Sequence, residues 1–130
     1  MRVLVVDDNP DHRFLTKRAL AALCVDVVMA SGGEEALERA NDANGDRPDF
    51  VLLDIKMPGM DGFEVLRRLR ASEPTRDLPV VLFSSSENAL DVERAQRLGA
   101  NGFVTKPLDA RTFVHVVRGT IEAWTRKLAG

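Results

Sequence analysis

Five short apolar runs recur along the chain, at residues 2–6, 25–30, 50–53, 80–83 and 102–104. They are spaced too widely for hairpins, and each gap carries helical periodicity instead. Most are apolar throughout, as strands buried on both faces tend to be. The helical gaps have readable starts. Ser31 with Glu34 predicts a capping box, and Asp61 with Glu64 repeats it. Asp109 is placed to cap a last helix in which Phe113, Val116, Val117, Thr120, Ile121 and Trp124 follow i, i+3, i+4, i+7 spacing. Gly99-Ala100-Asn101-Gly102 closes the fourth helix and turns into the fifth strand. Strand and helix alternating five times predict a doubly wound α/β fold, a five-stranded parallel sheet with helices on both faces. Right-handed crossovers are nearly obligatory in such a sheet, and the strand order expected at this size is 2-1-3-4-5.

At 130 residues the chain is expected to form one domain, residues 1–130. It is 45% hydrophobic and 29% charged, an ordinary globular balance. A formal net charge of −2 argues against a nucleic-acid footprint, and the Arg67, Arg68, Arg70 cluster reads as a solvated helix face. The first residues run straight into a strand and then acid, with no secretory segment, and no apolar stretch approaches the ~20 residues of a bilayer span. Cys24 is alone, so a reducing, cytoplasmic setting is the expectation, without a disulfide framework. Gly45-Asp46-Arg47-Pro48 reads as a loop within the domain.

The strand ends carry the chemistry. Asp7-Asp8 follow the first run, Asp54 the third, and Lys106-Pro107 the fifth. In the expected strand order the first and third strands adjoin at the switch point, where ligands bind beyond the carboxyl ends. Three carboxylates there repel one another, by about 4 kcal/mol for each pair at ~4 Å and an effective dielectric near 20. A hard divalent cation resolves that conflict. Mg²⁺ takes oxygen ligands, typically one or two carboxylates plus a phosphate oxygen. With Lys106 beside it, a phosphoryl group arriving at Asp54 would find its oxygens neutralised, and a carboxylate is a competent nucleophile. Taken singly, Asp-Asp-Asn-Pro is also good turn chemistry, and Asp54 alone could be a loop acid. Their coincidence with Lys106 at successive strand ends selects the functional reading. Ser84-Ser85-Ser86 follow the fourth run, where a hydroxyl can bond a phosphoryl oxygen and Ser84 is the candidate. Pro107 makes a cis peptide conceivable after Lys106.

These residues resemble the receiver domain of two-component response regulators: Asp7-Asp8, then Asp54 with Met57-Pro58-Gly59-Met60-Asp61-Gly62, then Ser84, then Lys106-Pro107. The resemblance spans essentially the whole chain. It implies a CheY-like fold and transfer of a phosphoryl group to Asp54 from a histidine kinase or phosphotransfer protein. It further implies Mg²⁺, with Mn²⁺ able to substitute, held by Asp8, Asp54 and the backbone carbonyl of Lys56, with Asp7 acting through water. Ser84, Ser85 and Lys106 would bind the phosphoryl oxygens, and Ser84 with Phe103 would form the switch. Lys56 and Ser86 would set the dephosphorylation rate. A downstream protein would read the face made by the fourth helix, fifth strand and fifth helix. Ser84 stands where Thr is commoner, which keeps the hydroxyl. Asn101 and the absence of a familiar charged set on the last helices speak against the dimer interface of winged-helix regulators. The chain stops with the fifth helix, so a stand-alone receiver without an output domain is the expectation. The last helix, residues 113–124, is similar to that of small regulators paired with bacteriophytochrome kinases.

Other functions are weighed against this. An aspartyl phosphatase generally wants a second acid two residues after its nucleophile, where this chain has Lys56. A flavin carrier would need a phosphate loop after the first strand, where Asp7-Asp8 repel phosphate, so no small-molecule cofactor is expected. A scaffold that is never phosphorylated would not need the acidic set. His12 and His115 have no companions at ligand spacing and read as helix-face residues. Met57 and Met60 read as turn flanks, Trp124 as part of the last apolar stripe, and Cys24 as buried.

Overall fold

A computed structural model of the chain describes every residue except Ala43, Asp46 and Glu87. The strands are β1 (Arg2–Val6), β2 (Asp26–Ala30), β3 (Phe50–Leu53), β4 (Val80–Ser84) and β5 (Gly102–Thr105). The helices are α1 (Pro10–Leu20), α2 (Gly33–Ala40), α3 (Gly62–Ala71), α4 (Ala89–Arg97) and α5 (Ala110–Ala129), with a 3₁₀ turn at Glu73–Thr75. All the strand pairs are parallel, in the order β2-β1-β3-β4-β5. This is the predicted doubly wound sheet, with boundaries shifted by a residue at β2, β4 and β5. The loop expected at 45–48 includes Asp46, which lies outside the described residues.

Side-chain alternation along the strands divides the interior into two layers. Leu4, Val6, Val51, Leu53, Val80 and Leu82 pack with Ala36, Phe63, Leu66, Leu69 and Ala95 of α2, α3 and α4. Val3, Val5, Leu52, Val81 and Phe83 face the other way, onto Leu20 of α1 and Phe113, Val117 and Ile121 of α5. Both faces are covered, which is why the strands read as continuous apolar runs. Each such side chain contributes about 1.5–3 kcal/mol when fully buried. Trp124 joins the α5 layer, its ring 5.3 Å from that of Phe50. Among the described residues no helix is long and apolar enough to cross a membrane.

Capping departs from the prediction at α2. Its N-cap is Gly32, which has no side chain to offer, and the Ser31 N–H instead donates to Glu35 Oε1 at 2.7 Å. Starting the helix one residue later moves the reciprocal acid from Glu34 to Glu35. The caps at α3 and α5 are as expected, Asp61 accepting from Glu64 N–H and Asp109 from Thr112 N–H. Gly99 has φ +90° and ends α4, a conformation that favours glycine. Cys24 is exposed rather than buried. It lies between Leu23 and Val25, which turn toward the core and leave it outside. Met57 is buried in the α2–α3 layer instead of merely flanking a turn.

Candidate functional site

The parallel ladder runs one residue past several strands and so pins the groups that follow them. Asp7 N–H donates to Ala30 O at 3.1 Å, Asp54 N–H to Val6 O at 2.9 Å, and Lys106 N–H to Ser84 O at 2.7 Å. The carboxylates and the ammonium therefore leave the sheet at fixed heights on one edge. Behind Asp54 the loop is anchored by Gly62, whose N–H donates to Ile55 O at 2.8 Å. A Cβ at Gly62 would stand 2.8 Å from Ile55 Cα and closer still to the Asp54 carbonyl oxygen, so only glycine fits. Gly59, with φ +77°, completes the turn between Asp54 and α3.

Lys106 Nζ lies 2.7 Å from Asp7 Oδ2 and 3.3 Å from Asp54 Oδ2, with both partners buried. Asp7 Oδ1 accepts the Asn9 N–H at 3.0 Å, and Asp54 Oδ1 accepts the Ile55 N–H at 2.9 Å. Burial pushes the Asp54 carboxyl up to about 6, and Asp7 adds to the rise. Lys106 pulls the other way, as does the Ile55 N–H, without cancelling it. Asp7, Asp8 and Asp54 each present an oxygen within 4.8 Å of the others. An all-oxygen set of three carboxylates with excess negative charge is what a hard divalent cation takes. The donor chemistry thus fits the metal that the sequence implies.

The edge opens as a cleft of about 440 Å³ lined by Asp8, His12, Asp54, Lys56, Ser85 and Lys106 among others. Lys56 and Ser85 are exposed at its rim. Ser84 is buried at the end of β4, its Oγ accepting the Ser86 N–H at 3.1 Å. Ser86 Oγ donates to Asp91 Oδ2 at 3.0 Å, so its hydroxyl is engaged with α4. Phe103 is half-buried on β5 opposite Leu82 and packs against the α2–α4 layer, away from the cleft lining. The peptide bond before Pro107, a candidate for the cis form, is trans, as is every peptide bond among the described residues. Lys106 reaches both carboxylates from the end of β5 without it.

His12 stands on a helix face as the sequence predicts, in α1, but it has companions there that the sequence does not show. Its Nδ1 lies 3.0 Å from Lys106 Nζ and 3.8 Å from Asp7 Oδ2. Nothing in the local pattern signals a partner 94 positions away; its nearness to Asp7-Asp8 in the chain was the one available clue. Arg13, which no sequence motif singles out, donates from its guanidinium to the Asp7 carbonyl at 2.8 Å.

With the parallel α/β sheet and this acidic edge in place, comparison with known proteins defines the class. Residues 3–118 match the family model for the response regulator receiver domain, and the chain belongs to that family. It is 30% identical over 120 residues to Protein PilH of Pseudomonas aeruginosa, covering 92% of this chain and 97% of PilH. It is 42% identical over 108 residues to Response regulator PleD of Caulobacter vibrioides, covering 83% of this chain but 23% of PleD. Among solved structures, the phosphorylated cyanobacterial phytochrome response regulator RcpA superposes with a TM-score of 0.90 at 32% identity, covering 95% and 93% of the two chains. The likeness therefore includes a phytochrome response regulator.

Proposed function

We propose that this receiver is a phosphorylation-controlled switch in which Asp54 accepts a phosphoryl group from the phosphohistidine of a histidine kinase or phosphotransfer protein. The observation that carries this is the Asp54 carboxylate in an open cleft, 3.3 Å from a buried ammonium and within 4.8 Å of two further carboxylates. In the transfer, an Asp54 carboxylate oxygen bonds to phosphorus as the bond from phosphorus to the donor imidazole nitrogen breaks. The electron pair returns to that nitrogen. Lys106 offers its positive charge to the arriving oxygens, and Ser84 and Ser85 would bind them through their hydroxyls. Asp8, Asp54 and the Lys56 carbonyl would hold Mg²⁺ or Mn²⁺, with Asp7 joining through water; when bound, the metal neutralises charge on the phosphoryl oxygens.

Phosphorylation adds charge and acceptors at Asp54 and draws Ser84 toward it, freeing space for Phe103. A partner protein reads the change through the α4, β5 and α5 face, and the shift it experiences equals its differential affinity for the two states. A cytoplasmic location fits a receiver with a single, unpaired cysteine.

Intact-protein mass spectrometry after acetyl phosphate and Mg²⁺ tests the acceptor. One phosphoryl adduct is expected in the wild type, and none in Asp54→Asn or without Mg²⁺. An adduct that persists in the variant would reassign the site.

A further inference from the structure

His12 lines the cleft, and the transfer step above leaves it without a role. It sits in the first turn of α1, where its backbone N–H donates to Asn9 Oδ1 at 3.2 Å. Its ring packs on Phe113 of α5, centroids 5.3 Å apart and planes tilted by 35°. The imidazole is thus held from two elements, with its Nδ1 at 3.0 Å from Lys106 Nζ.

An ammonium has three protons and accepts nothing. Lys106 Nζ has three acceptors around it: Asp7 Oδ2 at 2.7 Å, His12 Nδ1 at 3.0 Å and Asp54 Oδ2 at 3.3 Å. Because the lysine can only donate, a hydrogen bond at this distance has Nδ1 as its acceptor. The Lys106 side chain is 5% exposed and that of His12 is 34% exposed, so the ammonium is the more deeply buried of the two groups.

We propose that His12 is a positioning residue for phosphoryl acceptance, holding the Lys106 ammonium between Asp7 and Asp54 by taking its third proton. The inference rests on Asp54 being the phosphoacceptor. Without that acceptor a buried N–H is left unpaired, which is costly. The lysine regains a partner by swinging toward water or by closing onto Asp7. Either movement takes positive charge away from Asp54 Oδ2, where the phosphoryl oxygens arrive.

Three variants separate shape from hydrogen bonding. His12→Phe keeps a ring against Phe113 and removes the acceptor. His12→Asn puts a carbonyl oxygen at the place of Nδ1, whereas His12→Gln puts one at the place of Nε2. The readout is the rate of aspartyl phosphate formation from acetyl phosphate at saturating Mg²⁺, alongside thermal melting. His12→Phe is expected to label about fivefold more slowly or worse, with Asn restoring the rate to within about twofold and Gln failing to do so. Should the Phe variant melt early, Asn against Gln carries the same comparison. Labelling of His12→Phe at the wild-type rate, or equal rates for Asn and Gln, overturns the proposal while leaving Asp54 as acceptor. A wild type that takes no phosphoryl group at all overturns both. In the metal-free protein, the His12 Nδ1 resonance is expected to move on Lys106→Met, and an unmoved resonance would overturn the contact itself.

Discussion

The Asp54 carboxyl is pulled in two directions by its neighbours, and burial wins, raising it to about 6 from an ordinary 3.8. A carboxyl raised on folding binds its proton more tightly in the native state than in the unfolded one. Its ionisation therefore withdraws stability as pH rises from about 4 through about 6, and that loss persists above. In the metal-free protein, Asp54→Asn is expected to be more stable than wild type by about 1–2 kcal/mol at about pH 7.5, and nearly equal to it at about pH 4. Denaturant melts in EDTA at the two pH values check this, and a variant less stable at the higher pH would refute it. Lys56 belongs to the same scale. Its exposed side chain stands at the cleft rim, and we propose that it lies over an acyl phosphate and hinders the water that hydrolyses it. Lys56→Asn is expected to lose its phosphoryl group faster than wild type, measured as the decay of the mass adduct after the donor is removed.

At the scale of elements, three arginines of α3 that look alike in sequence do different work. Arg67 and Arg68 are exposed and share Glu64, at 2.7 Å in each case. The Arg67 and Arg68 guanidiniums hold Glu64 down to about 2, yet exposed pairs of this kind contribute little to stability. Arg70 is different. Its guanidinium donates to the carbonyls of Leu78 at 2.7 Å, Gly99 at 3.1 Å, Arg76 at 3.2 Å and Thr75 at 3.3 Å, and to Asn101 Oδ1 at 2.9 Å. Asn101 Oδ1 also accepts the Val80 N–H at 2.8 Å, so one cluster ties the end of α3 to the starts of β4 and β5. Removing it leaves several carbonyls short of a partner. Arg70→Ala is expected to cost about 2 kcal/mol, whereas Arg67→Ala is expected to leave stability close to that of the wild type. Chemical denaturation of the two variants separates these outcomes, and equal effects would show that the clip is idle.

Across the whole molecule, α4 is the least anchored helix that borders the site. Ala95 is its one buried residue, against five in α3, and Leu90 near its start is 70% exposed. Elements with little buried surface are those that open most readily. Phosphorylation is therefore expected to alter amide exchange in residues 88–99 and β5 more than in α1 or α3, and a uniform change would count against a switch through this face. The architecture was largely legible from sequence because doubly covered strands must be apolar throughout and helices must carry periodic stripes. Asp7, Asp8, Asp54 and Lys106 were legible for a related reason: each stands at a strand end, and parallel strands bring like ends to one edge. Side-chain reach across the sheet was not. Local pattern alone makes His12 a helix-face residue without companions and Arg70 a solvated one, since each meets a residue far along the chain. Lys106 meets His12 across 94 positions, and Arg70 meets Asn101 across 31. Periodicity and strand-end chemistry act within a few residues and so determined the fold and the acidic edge. Hydrogen bonds between distant side chains exist only once the chain has closed, and the tertiary structure alone decided them.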